Sequence, residues 1–214
     1  MVRSLAGMFL AVAASLTFAQ QAHVHAEPPP LAVGAALDAQ GRLWLTRVED
    51  RRLVVLRSDD GGRSFAPPAV VTPQPEAVTA DAENRPKIAA APDGVVHLTW
   101  TQNLGQKMTG HIRYSRSTDG GKTFSTPAIL NDDRQVISHR FDALAIDGQG
   151  GVAAVWLDAR SRDGKAPKGS PQTQVGIYAA VSRDGGASVG PNRKVADHSC
   201  HCCRPGRTRT RAGP

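Results

Sequence analysis

Cysteine is missing from the first 199 of the 214 residues; the three present, Cys200, Cys202 and Cys203, sit together near the far end. A lipid-modified cysteine after the leading apolar run is therefore excluded. Long apolar runs are equally scarce. The single candidate, Leu5 to Phe18, follows Arg3 and is too short for a comfortable membrane span. It fits the apolar core of an export signal instead, with small residues at Thr17 and Ala19, or at Val24 and Ala26, where cleavage is expected. Residues 1–26 are accordingly read as a signal peptide. The protein is expected outside the cytoplasm, periplasmic or secreted, with no membrane span after cleavage; an uncleaved anchor is the competing reading.

Extended helix-forming stretches are also lacking. With 21 glycines and 15 prolines, the chain is punctuated too often for long helices and reads as short elements joined by turns. Aromatic residues make up only 5%. The formal charge of +7 is no nucleic-acid footprint, because Arg204, Arg207, Arg209 and Arg211 supply four of those charges within a tail that has no apolar periodicity. No nucleic-acid partner is expected.

What the chain does have is a repeat. SDDGGRSF (58–65), STDGGKTF (117–124) and SRDGGASV (182–189) are three versions of one turn. Each is preceded by an apolar strand, an Asp/Gly turn, an alternating strand, a variable loop and a third strand. RPKIAAAPDGVVHLTWTQ followed by HIRYSRS shows the pattern, and a brief fourth strand such as TPAIL closes the unit. Tandem units of four short antiparallel strands are the signature of propeller blades. The fold class is therefore all-β: a β-propeller with about three blades present of an expected six.

Within each turn, the paired glycines (Gly62, Gly121 and Gly186 are the second of each pair) permit positive φ. Asp60, Asp119 and Asp184 are placed to accept bonds from turn N–H groups, and Ser58, Ser117 and Ser182 to add hydroxyl bonds. Phe65 and Phe124 close the first two turns and are expected to bury a ring against neighbouring strands; Val189 takes that place in the third. These residues read as scaffolding rather than chemistry.

Ser-x-Asp-x-Gly-x-Thr-aromatic resembles the Asp-box, or BNR repeat, of the sialidase-like β-propellers. The resemblance covers roughly residues 31–199, within a domain read as 27–199, and rests on two good copies and one degraded one. It implies a glycan-directed protein with a glycan or glycoconjugate as partner, and an exo-sialidase or related glycoside hydrolase if the whole protein is catalytic. A non-catalytic propeller that binds protein or polysaccharide is the alternative. No cofactor is required under either reading.

Strand parity puts the boxes on one rim, and the entries to the first strands, with the loops after the second strands, on the other. Arg85, Arg140, Asp158 and Arg160 fall on that second rim, and the arginines that enter first strands, Arg85 and Arg140, are expected to point near the axis where propellers place ligands. The family holds its substrate carboxylate with three arginines, and the resemblance implies that Arg85 and Arg140 occupy two such blade-entry positions; no third arginine stands at a blade entry, Arg160 on the same rim is a further substrate-binding candidate, and an arginine that ties neighbouring blades together is the competing reading. The match departs from the family, whose first arginine usually lies in Arg-Ile-Pro whereas Pro86 follows Arg85 directly. Asp158 is the candidate acid, in a setting, WLDAR, that equally suits a salt bridge to Arg160. The family's nucleophile is a tyrosine; Tyr114 and Tyr178, the two in this chain, both lie in third strands, where packing is the ordinary role.

Residues 200–214 form the last segment. Cys200, Cys202 and Cys203, beside His198 and His201, suit either a disulfide in an oxidising compartment or a zinc or copper ion, although C-x-C-C matches no standard zinc pattern. The residues after Arg204 read as a disordered basic tail with the composition of out-of-frame GC-rich codons. The expectation is a larger propeller interrupted by a frameshift or premature stop, with a ring-completing homo-oligomer as the competing idea.

Overall fold

The computed structural model describes residues 32–170, 174–200 and 205. The expected signal peptide lies outside them, as do His201, Cys202, Cys203 and the basic tail apart from Pro205. Among the described residues no helix is long and apolar enough to cross a membrane.

The described residues form three four-stranded antiparallel sheets, each a meander in chain order. The first is β1 (Gly34–Leu37), β2 (Leu43–Glu49), β3 (Arg52–Ser58) and β4 (Ala69–Val70). The second is β5 (Lys87–Ala90), β6 (Val96–Asn103), β7 (Gly110–Ser117) and β8 (Ala128–Ile129), entered through a single 3-10 turn at Ala82–Asn84. The third is β9 (His139–Ile146), β10 (Val152–Asp158), β11 (Val175–Ser182) and β12 (Arg193–Ser199). The short fourth strands in the first two blades follow from Pro68 and Pro127, which supply no N–H for a longer ladder. Strand β1 packs beside β5, and β5 beside β9, so the first strands of the three blades surround one axis.

Strand alternation sends each side chain to one of two neighbours. Trp44, Leu53 and Val55 on the first blade meet Ile88, Val96, Leu98 and Trp100 on the second in one apolar cluster. Ile112 and Tyr114 on the second meet Leu144, Val152, Ala154 and Trp156 on the third in another. Every tryptophan is fully buried, and each indole N–H donates to a carboxylate: Trp44 to Asp38 (2.8 Å), Trp100 to Glu76, and Trp156 to Asp158 (2.8 Å). Large rings thus enter the core without leaving an unmet donor.

The boxes are built alike. In the second, the amide of Gly121 donates to Ser117 Oγ (2.8 Å), the Ser117 hydroxyl donates to Asp119 Oδ1 (2.7 Å), and Asp119 accepts from the amide (3.0 Å) and hydroxyl (2.6 Å) of Thr123. The first and third repeat this with Ser64 and Ser188 in the place of Thr123. These donors hold all three aspartates well below the usual carboxylate range.

The second glycine of a box also touches the preceding blade. A Cβ on Gly121 would lie 2.4 Å from the Trp44 ring, and one on Gly186 would run into the Tyr114 hydroxyl. Arginines then clip the boxes across: Arg57 donates to the Gly120 carbonyl (3.2 Å) and Arg116 to that of Gly185 (2.5 Å). Phe124 packs into the cluster between the first two blades. Phe65 differs from expectation: it is 39% exposed, because the first blade has no preceding blade among the described residues for its ring to enter.

Two outcomes test this scheme. Gly121→Ala should destabilise by about 1–3 kcal/mol from the Trp44 overlap, on top of its left-handed backbone cost. Gly61→Ala, with nothing within 4 Å of its Cβ, should pay the backbone cost alone; equal losses in urea unfolding would contradict the packing role. The box aspartates have folded pKa values below the unfolded 3.8, so their stabilisation is present above that value and disappears as pH falls beneath it. The melting temperature should therefore drop on acidification from pH 5, and less so with Asp60, Asp119 and Asp184 changed to asparagine.

Candidate functional site

The first strands line a half-open cavity of about 670 Å³ whose walls include Gly34 and Ala35 of β1, Arg85 and Lys87 at the entry to β5, and Phe141 and Asp142 of β9. Small residues on β1 are a local necessity: a Cβ on Gly34 would lie 2.3 Å from the Pro86 carbonyl oxygen, where the first two blades come closest. Strand β5 begins after the 3-10 turn, which leaves Arg85 extended (φ −64°, ψ 153°) at the mouth, with its guanidinium 3.2 Å from Glu83. Lys87, one step further in, donates to the carbonyls of Glu83 (3.1 Å) and Arg85. Burial pulls its pKa down, against the pull of Asp142.

Asp142 owes its position to a bulge. The register of β9 against β10 slips between Ala143, opposite Val155, and Arg140, opposite Leu157. Phe141 takes φ 56°, a conformation that bulky residues rarely adopt. Its amide donates to Asn84 Oδ1 (3.0 Å), which supports the bulge from the 3-10 turn. Asp142 is then turned between the second and third blades, 2% exposed, with Oδ2 accepting from the Thr99 hydroxyl (2.6 Å). Burial raises its pKa, with Lys87 opposing, so the carboxyl is held toward its neutral form. Neither Lys87 nor Asp142 was picked out from sequence; the readable signal was one acid inside the otherwise apolar run of RFDALAI.

Of the residues singled out in the sequence, Arg85 lines the cavity. Arg140 lies over the Phe141 ring (4.9 Å) and 3.9 Å from Asp81, beside the mouth. Asp158 and Arg160 belong to a separate cluster. Asp158 is fully buried, and its Oδ2 accepts from Trp156 Nε1 (2.8 Å) and from Arg160 Nε (3.0 Å) and Nη2 (2.8 Å). Arg160 also bonds Asp132 (2.6 Å) and stacks on the Tyr178 ring (4.3 Å). The salt bridge foreseen as the alternative to an acid role is thus present, and it ties the exit of the second blade to the third.

Asp133, His139 and Asp158 bring their ligand atoms within 4.8 Å of one another, a donor set that suits a divalent cation. Three N–H groups already occupy Asp158 Oδ2, however, and Arg160 supplies the positive charge that the carboxylates need. Cys200 is disulfide-bonded. The tyrosines are engaged elsewhere. Tyr114 is buried against His97 Nδ1 (2.7 Å), and burial pushes its hydroxyl up to about 12. Tyr178 shares a bond with the Ser161 hydroxyl (2.7 Å).

No family model matches the chain, and no curated protein matches it. Solved structures do. An α-L-arabinofuranosidase of Fusarium graminearum, solved with an iminosugar inhibitor, is 12% identical with a TM-score of 0.52, covering 78% of this chain and 50% of its own. A NanB sialidase of Streptococcus pneumoniae is 19% identical with a TM-score of 0.48, covering 76% and 23%. An α-L-arabinanase of Penicillium chrysogenum in complex with arabinobiose is 14% identical with a TM-score of 0.47, covering 76% and 48%. The fold is that of a β-propeller, and the chain spans half or less of the length of these three structures.

Arg160→Ala strands Asp158 and Asp133 without their counter-charge, and should cost about 3 kcal/mol or more in chemical unfolding. Asp142→Asn, which keeps an acceptor for Thr99 and removes a charge that burial already disfavours, should cost under about 1 kcal/mol. The reverse order would contradict both assignments.

Proposed function

We propose that the protein is an extracytoplasmic, glycan-directed propeller of the sialidase-like kind, and that its axial cavity binds an acidic sugar without turning it over. The observation that carries the reading is the placement of Arg85 and Lys87 in the wall of the cavity where the first strands converge. A guanidinium at a blade entry meets a carboxylate through two parallel bonds, and an ammonium beside it adds charge in a half-enclosed space. Arg140 flanks the mouth as a second guanidinium. The likeness to a propeller solved with a sugar mimic supports a carbohydrate over other small anions.

Binding without hydrolysis is favoured by the acids. Glycosidases that use two carboxylates need both free beside the scissile bond. Among the cavity walls the carboxylates are Glu83, exposed and paired to Arg85, and Asp142, buried against the Thr99 hydroxyl with its pKa raised by that burial. Both tyrosines are committed to packing away from the cavity, which removes the family's nucleophile.

Calorimetric titration with N-acetylneuraminic acid and with glucuronic acid, against their neutral methyl esters, tests the reading. The free acids should bind, the esters should bind more weakly, and Arg85→Ala should weaken the acids by about tenfold or more. Failure of every acid to bind would sink the proposal. Hydrolysis of a fluorogenic sialoside that is abolished by Arg85→Ala and Arg140→Ala would replace binding with catalysis.

A further inference from the structure

We propose that the groove along β8, between the second and third blades, is a binding site for a small aromatic carboxylic acid. It is separate from the axial cavity and does not depend on a sugar binding there.

The groove exists because the third box ends in valine. Between the first and second blades the box ends in Phe124, whose ring packs into the cluster that includes Val55, Val71, Val96 and Leu98. One blade on, Val189 takes the place of Phe124 and is 38% exposed. In register, Val152 and Ala154 opposite Ser182 and Ala180 correspond to Val96 and Leu98 opposite Ser117 and Ser115. The third blade therefore offers an alanine where the second offers a leucine, and a valine where the second offers a phenyl ring. Tyr114, larger than its counterpart Val55, does not make up the difference, because its hydroxyl is drawn to His97 (2.7 Å) against Gly186. A void of about 10 Å³ remains between Tyr114, Leu130, Ala154 and Val189. A groove of about 600 Å³ shares Tyr114, Leu130 and Val189 with it, a size ordinary for a small-molecule site. Both of its walls lie among the described residues.

The same molecule thus shows what such a groove holds: one blade earlier, it holds a phenyl ring. Charge decides what the ring should carry. Three charged residues line the groove, Arg116, Asp132 and Arg134. Asp132 is already engaged by Arg160 (2.6 Å) and by the Asn192 amide (3.0 Å). Arg116 is fixed through Nη1 on the Gly185 carbonyl (2.5 Å). Arg134 is fixed in the same manner, with Nη1 donating to the carbonyls of Ile129 (3.2 Å) and Asn131 (2.9 Å). Its Nε and Nη2 make no hydrogen bond to a described residue, and that edge of a guanidinium is the one that meets a carboxylate through two parallel bonds. A ring against Val189 and a carboxylate on Arg134 satisfy both halves of the groove.

Calorimetric titration of the full chain with 3-phenylpropionate tests the site, with 3-phenylpropanol as a neutral ring and hexanoate as an acid without one. The aromatic acid should bind more tightly than either control by about tenfold or more. Val189→Phe should abolish that binding and raise the melting temperature by about 2–4 °C, since the new ring occupies the groove. Arg134→Gln, a change at an exposed side chain, should bring the acid down to the affinity of the alcohol and leave the alcohol unaffected. Equal binding of acid and alcohol by the unaltered protein would remove the arginine from the site, and equal binding of the acid and hexanoate would remove the ring; either overturns the proposal. So would absence of binding, binding that survives Val189→Phe, or a lower melting temperature in that variant.

Discussion

A single hydrogen-bonded turn, made three times, carries the architecture. The box serine accepts from the second glycine and donates to the aspartate, and the aspartate gathers the amide and hydroxyl four residues on. This exchange holds two consecutive residues at positive φ, which only glycine supplies without strain. Because the second glycine has no side chain, the turn comes down on the ring of the previous blade. Local hydrogen bonding and long-range packing are thus fixed by the same residues, and blade spacing follows from turn chemistry.

The cavity is a by-product of that spacing. First strands crowd the axis, which forces Gly34 against Pro86, and the entries of later blades are left to define the chemistry of the wall. Lys87 and Asp142 show how the environment divides the labour there. Burial acts on both in the direction of neutrality, one losing acidity and the other basicity, while Arg85 at the mouth is paired with Glu83.

The blades were readable from sequence because their causes are local. Alternation in VHLTWTQ and HIRYSRS, and a glycine pair after an aspartate, each report on residues a few positions apart. Arg85 at a blade entry was readable for the same reason. The bulge at Phe141 was not, since a phenylalanine at positive φ contradicts local preference and is held there by Asn84 from another blade. Full burial of Asp158 was likewise hidden. It depends on Trp156 beside it and on the loop holding Asp132 and Asp133, which the chain reaches only through tertiary contact. The exposure of Phe65 was missed because sequence shows that a ring is present, not whether a neighbouring blade waits for it.

The arginine clips have a consequence for how the molecule comes apart. Arg57 joins the first blade to the second and Arg116 the second to the third, and each reaches only its immediate neighbour. Such a chain of nearest-neighbour couplings behaves like a short one-dimensional array, in which the element clasped from both sides is the last to open. Among the described residues, amide protons of β6 and β7 belong to that element. They are set to exchange most slowly with solvent, with fraying that begins at the flanks and moves inward.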